Sequence, residues 1–229
     1  MAPGEPKLTH RREDGRQVPL LVWRFPTPLL AISSAVHGGG IGECHWVVNA
    51  TVPMSYDRED PAAHLAEIAA GRGLAGRGVG LLTGVDVADV VTARAGGVRL
   101  WATVGLGAPI QAAEEEETPA APPAGTVNVV AWVPRRLSEG ALVNAVATIT
   151  EAKVQGIRDL GLAATGTATD AVCVLCPAEE TAGGPAAAYA GPRSRWGEPL
   201  ARAAFRAVRQ GGAANLAGTQ SWSDRQAQG

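Results

Sequence analysis

GTVNVVAWVP (125–134), GALVNAVATITEAKVQGIRDLG (140–161) and ATGTATDAVCVLC (164–176) are the three consecutive pieces of sequence that decide the fold. The first is an apolar, β-branched run over 127–133 that stops at Pro134, and it reads as a buried strand. Ser138 then offers a side-chain oxygen to the free N–H groups of a helix start. Apolar residues recur at helical spacing from there to about residue 160, and Gly161 suits the left-handed stop of that helix. Residues 171–175 are continuously apolar, as in a short buried strand. Strand, helix and strand in this order favour a parallel pair, because the helix must carry the chain back along the sheet.

Working outward, residues 20–25, 29–36 and 46–52 are short, apolar and bounded by Gly or Pro, so they read as strands. Asp60 followed by Pro61 is an N-cap with proline at the first helical position, opening a helix to about residue 70. Residues 79–82, 85–93 and 98–104 are further strands whose close spacing favours hairpins, and 199–210 is a final amphipathic helix. HWVVNATVP (45–53) and TVNVVAWVP (126–134) each place an asparagine in an apolar strand ahead of a proline and a helix. That shared order suggests a diverged strand–helix–strand duplication. The expected class is α/β, or α+β, with layers of mixed sheet packed against helices. The domain plan is a flexible segment 1–19, one domain over 20–210 and a disordered tail over 211–229. Two solvated connections interrupt the domain: the acidic, proline-rich stretch 111–124 and the Gly/Ala/Pro-rich stretch 178–195.

Composition excludes several functions. The balance of 20 basic and 22 acidic residues leaves no excess positive charge for a general polyanion binder, so no nucleic-acid partner is expected. Three cysteines cannot close into a disulfide framework, which suits a reducing compartment. The first twenty residues lack the apolar core of a secretory signal, and no apolar run approaches the ~20 residues needed to cross a bilayer. A cytoplasmic protein without membrane insertion is expected, its oligomeric state open.

Polar residues that interrupt apolar elements are the candidates for chemistry. Asn144, Thr148, Glu151, Gln155 and Arg158 form one stripe on the long helix, facing solvent, a cleft or a connection. The turn 164–170 sets Thr165, Gly166, Thr167 and Thr169 before Asp170 at the entrance of the next strand. There the backbone can approach a ligand closely, or the same groups can satisfy the turn. His37 stands before three glycines at a strand end. Asn49 and Asn128 lie inside apolar strands, where an unpartnered amide costs about 1–3 kcal/mol, so each needs a partner. Other signals carry less. Cys173 and Cys176 point to opposite faces of a strand and have no second pair to complete a zinc site. The glycines over 71–80 match no phosphate loop. Arg202, Arg206 and Arg209 are most simply one solvated helix face.

Taken together, Gly125-Thr126-Val127-Asn128, Thr150-Glu151-Ala152-Lys153 and Thr165-Gly166-Thr167-Ala168-Thr169-Asp170 resemble the adenosylcobinamide amidohydrolase family. SSAVHGGG (33–40) and VVNATVP (47–53) extend the similarity over about 33–176, with Ala168 standing where a second glycine is expected. The resemblance implies hydrolysis of the amide joining a corrin side chain to aminopropanol in adenosylcobinamide, giving adenosylcobyric acid for cobalamin salvage. The partner is then a small corrinoid whose cobalt belongs to the substrate, and no further cofactor is expected; the sequence shows no metal-ligand cluster, so direct attack by water without a protein-bound metal is expected. Amide hydrolysis needs an activated nucleophile, a stabilised oxyanion and a proton for the departing amine. Asp170 or Glu151 is the candidate base, Lys153 or His37 the candidate acid, and Thr165 or Thr167 an alternative nucleophile. Asn128 and the amides of Gly166 and Thr167 are candidate oxyanion donors, with Thr126, Asn49, Thr165 and Thr169 completing the substrate contacts. A corrinoid-delivery protein without hydrolysis, or another amidohydrolase or acyltransferase on the same scaffold, are the competing readings.

Overall fold

The computed structural model describes residues 2–115, 125–179, 184–218 and 222–227. Its elements in chain order are β1 (Lys7–Glu13), β2 (Arg16–Ser33), β3 (Gly40–Thr51), α1 (Pro61–Gly71), β4 (Gly78–Thr83), a 3-10 turn (Val87–Asp89), β5 (Val91–Ala95), β6 (Val98–Val104), β7 (Val127–Trp132), α2 (Glu139–Asp159), β8 (Ala171–Pro177), α3 (Gly197–Leu216) and α4 (Trp222–Ala227). The strands form one mixed sheet in the order β4-β3-β2-β8-β7-β6-β5, with β1 added beside β2. The pairs β3/β4 and β7/β8 are parallel, each joined through a helix, and the others are antiparallel. The fold is α/β, as its strand–helix–strand signals indicate.

Period-two alternation sorts the strand residues onto two faces. Leu100, Val129 and Val174 face outward and pack with Leu142 and Ile149 of α2 and Leu200 of α3. Leu20, Val22 and Val48 also face outward, against Ile68 of α1. The intervening residues Leu21, Trp23, Val47, Leu81, Trp101, Val130, Trp132 and Leu175 share a single inner core. Strands from both ends of the sheet meet there, so the sheet curls over itself and carries helices on both outer faces. The Trp23 and Trp101 rings meet edge to face at 5.7 Å across this core. Cys173 faces inward and Cys176 outward, as their spacing on a strand requires. Both are buried, and burial pushes the Cys176 thiol up to about 11.

Four sequence expectations change. Segments 20–25 and 29–36 join in the single strand β2, whose register with β3 shifts between Arg24 and Leu29. Pro26 and Pro28 fall in that gap, where they have no N–H to give the ladder. Before the shift β2 pairs with β1, and after it with β8. The segment 1–19 is not free: β1 and the start of β2 form a hairpin through Asp14 and Gly15 at positive φ. Glu5 is further tied to Trp101 Nε1 at 2.6 Å and to Arg94 and Arg99. A mostly exposed edge strand such as KLTHRRE is held by its ladder rather than by an apolar face, so hydropathy does not reveal it. The expected strand 85–93 divides into a turn capped by Asp86, which accepts from Ala88 N, followed by β5. Finally, 211–216 continue α3, and α4 follows with Trp222 buried. Gly211 and Gly212 let α3 lie close against Val104, Leu106 and Leu160, where a Cβ would collide.

Of the two connections, 116–124 and 180–183 lie outside the described residues, as do 219–221 and 228–229 of the expected tail. Among the described residues no helix is long and apolar enough to cross a membrane.

Candidate functional site

Where β2, β3 and β4 end and β7 and β8 begin, the inner face of the sheet changes from apolar to polar. Asn49, Thr103 and Asn128 occupy successive inward positions there, each at most 2% exposed. Asn128 Nδ2 donates to Asn49 Oδ1 at 3.0 Å and to Leu82 O at 2.8 Å, while Asn49 Nδ2 donates to Thr103 Oγ1 at 3.0 Å. Both N–H groups of Asn128 therefore meet carbonyl oxygens, which fixes the orientation of its amide. Its Oδ1 is buried and has no partner among the described residues.

Asn128 forms part of the floor of a cleft of about 510 Å³. Its walls include Ser34, Val52, Tyr56 and Leu82, and exposed Val36 and Met54 also line it. Ser33 and Ser34 fasten the end of β2 to the start of β8: Ser33 Oγ donates to Val172 O, and Ser34 Oγ accepts from Val172 N.

The opposite wall is built on Asp170. One carboxylate oxygen accepts from Val127 N at 2.8 Å and from Thr167 Oγ1. The other accepts from Thr167 N at 3.1 Å and from Lys153 Nζ. Lys153 lies on the buried side of α2, so the ion pair is largely shielded, with side-chain exposures of 9% and 12%. Gly166 lies flat against the pair, and a Cβ there would strike both Lys153 Nζ and Asp170 Oδ2. The Thr126 and Thr169 hydroxyls bond one another at 2.7 Å, and Thr169 also donates to Gly125 O. Thr165 Oγ1 instead accepts from Ala112 N at 2.9 Å.

Asn128, Thr126, Thr169 and Asp170 thus share the cleft, and Asn49 supports its floor from behind. Gly166, Thr167 and Lys153 stand behind Asp170, and the Thr167 amide is already committed to that carboxylate. Glu151 is exposed on α2 and is not among the cleft residues, because two positions along a helix turn it about 200° away from Lys153. His37 also lies off the cleft: its ring stacks on Trp46 at 5.6 Å, and its carbonyl accepts from Gly80 N. The helix stripe divides, with Asn144 and Thr148 bonded to the backbone of Ala190 and Glu151, Gln155 and Arg158 exposed.

A second polar group reaches the cleft without any sequence motif. Tyr56, from the loop after β3, bonds His64 of α1, and His64 Nε2 lies 3.1 Å from Glu13 of β1. Burial holds the His64 imidazole below its ordinary value of 6.5, with Arg58 and Arg11 acting in the same direction and Glu13 opposing them. Burial also raises the Tyr56 phenol above its ordinary 10. Glu13 is far from Tyr56 and His64 in sequence, and the ladder joining β1 to β2 brings it to α1. Among the described residues no three His, Cys, Asp or Glu side chains converge on one point.

A curled mixed sheet, helices on both outer faces and a polar-floored cleft at the strand ends define an α/β protein with a candidate small-molecule site. The model of the adenosylcobinamide amidohydrolase family matches residues 5–220, and the chain belongs to that family. It is 28% identical to the adenosylcobinamide amidohydrolase of Methanosarcina mazei over 186 residues, covering 79% of this chain and 88% of that one. It is 35% identical to the adenosylcobinamide amidohydrolase of Halobacterium salinarum over 153 residues, covering 63% and 65%. Among solved structures, the PH0078 protein from Pyrococcus horikoshii OT3 aligns over 95% of this chain and 80% of its own at 11% identity, with a TM-score of 0.43.

Proposed function

We propose that the protein hydrolyses the amide between the corrin side chain and aminopropanol of adenosylcobinamide, releasing adenosylcobyric acid. The observation that carries this reading is Asn128 in the floor of the cleft, its buried Oδ1 without a partner among the described residues. A buried acceptor left unsatisfied costs about 1–3 kcal/mol, and the N–H of a secondary amide is the complementary donor. The cleft takes the amide-bearing side chain, while Val36 and Met54 offer apolar contact to the macrocycle outside. Asp170 acts here as a frame: it joins β7, the Thr-rich turn and Lys153, holding the wall against which the amide is oriented. Relatives named for the same reaction support the assignment.

Incubation with adenosylcobinamide and chromatographic separation of the products tests it. Adenosylcobyric acid and free aminopropanol in equal amounts are expected. Corrinoid binding without aminopropanol release would instead favour a delivery protein.

A further inference from the structure

His64 is 4% exposed, and each of its ring nitrogens has a polar neighbour. Nε2 lies 3.1 Å from Glu13 Oε1, and Nδ1 lies 3.1 Å from the Tyr56 hydroxyl. The Tyr56 and His64 rings are nearly parallel, 20° apart with centroids at 5.6 Å. An ionised carboxylate only accepts, so the ring proton is favoured on Nε2, the nitrogen that faces Glu13. Nδ1 is then an acceptor, and the Tyr56 O–H donates to it. The phenol oxygen keeps its lone pairs for another donor, and Tyr56 is part of the cleft wall. The arrangement follows the logic of a nucleophile–histidine–carboxylate triad, with tyrosine in the outer position.

We propose that Tyr56 is a catalytic residue of the cleft and that His64 and Glu13 are the positioning residues of its proton relay, an inference that rests on the amidohydrolase reading above. As the water oxygen forms a bond to the amide carbon, one water proton passes to Tyr56 Oη and the Tyr56 proton passes to His64 Nδ1. The imidazolium so formed is held by Glu13. As the C–N bond breaks, its electron pair stays on nitrogen, which takes a proton from Tyr56 while His64 returns its own to Tyr56. The products are a carboxylic acid and an amine, and the relay ends as it began.

The charged groups around His64 are Glu13 and Arg11 from β1, Arg58 from the loop and Glu67 on α1, with Asp60 beside Tyr56. Arg11 and Arg58 also bond Glu13, which fixes its carboxylate against the imidazole. The relay works with neutral His64, so kcat/KM falls as pH drops through a value below 6.5.

Tyr56→Phe removes one oxygen from a half-buried ring. It is expected to lower kcat by about 10²-fold or more while KM and corrinoid affinity, read from the corrinoid absorbance, stay within about twofold. His64→Gln is expected to remove the acid limb of the kcat/KM profile. In the wild type, ¹⁵N imidazole shifts are expected to place the proton on Nε2, and Glu13→Gln to disturb that tautomer. A Tyr56→Phe protein with wild-type kcat and pH profile, or a folded His64→Gln protein that keeps the acid limb, overturns the relay and leaves the amidohydrolase reading standing. A wild-type protein that binds adenosylcobinamide without releasing aminopropanol overturns both.

Discussion

Asn128 Nδ2 donates to Asn49 Oδ1 at 3.0 Å, joining β7 to β3 although β2 and β8 lie between them in the sheet. The bond exists because the sheet curls far enough for its inner faces to meet, and it closes the inner core where the cleft begins. Asn49→Leu leaves one buried Asn128 N–H and the Thr103 hydroxyl without their partner. A loss of about 1–3 kcal/mol in unfolding free energy is expected by denaturant titration. With Asn128→Ala in a double-mutant cycle, a coupling of about 0.5–3 kcal/mol should appear. A coupling near zero would show that the two strands are held by apolar packing alone.

Removing Asp170 leaves a buried ammonium. Asp170→Asn is expected to destabilise the protein by about 3–5 kcal/mol, since the Lys153 charge loses its partner in a shielded site. Turnover should fall with it, because the carboxylate also anchors Val127 and Thr167. Adding Lys153→Met should restore much of the stability, read as a recovered thermal midpoint. If the double variant were as unstable as the single, the backbone anchors would outweigh the ion pair.

At Gly166 the constraint is contact. An added Cβ meets Lys153 Nζ and Asp170 Oδ2 at once, and a shielded ion pair has little room to retreat. Gly166→Ala should cost about 1–3 kcal/mol, as overpacking usually does, and should lower corrinoid affinity by distorting the turn. Calorimetric unfolding and corrinoid titration of the same preparation check both.

Glu5 links the N-terminal segment to the sheet. Burial alone raises its carboxyl, but hydrogen bonds from Trp101, Arg99 and Arg94 outweigh that and hold it below the ordinary 4.5. A depressed carboxylate contributes stability that is present above its unfolded value and lost as pH falls through the folded one. Glu5→Gln should therefore lower the midpoint slightly at pH 7 and have progressively less effect as pH falls below 4.5, as the wild type loses the same contribution there. The effect is small, because Glu5 is half-exposed. Equal differences at neutral and acidic pH would mean that shape rather than charge secures the segment.

Local chemistry made much of this fold legible. Ser138 accepts from Ala141 N and Asp60 from Ala63 N, and Gly161 has φ +83°, so caps and stop residues marked two helices through bonds made within a few positions. Strand alternation likewise assigned Cys173 and Cys176 to opposite faces. Helical periodicity separated Glu151 from Lys153 but could not say which side the sheet would cover, since that depends on how α2 meets the rest of the molecule. The need of Asn49 and Asn128 for partners was also readable, yet that they partner each other follows from the curl of the sheet. Asp170 stood out as polar at a strand entrance, while the four donors on its carboxylate come from β7, α2 and its own turn. Glu13, His64 and Tyr56 left no pattern at all, because β1 carries too little apolar area to announce itself. Contacts between residues far apart in sequence have no period to detect, and pairing β1 with β2 brings Glu13 to His64.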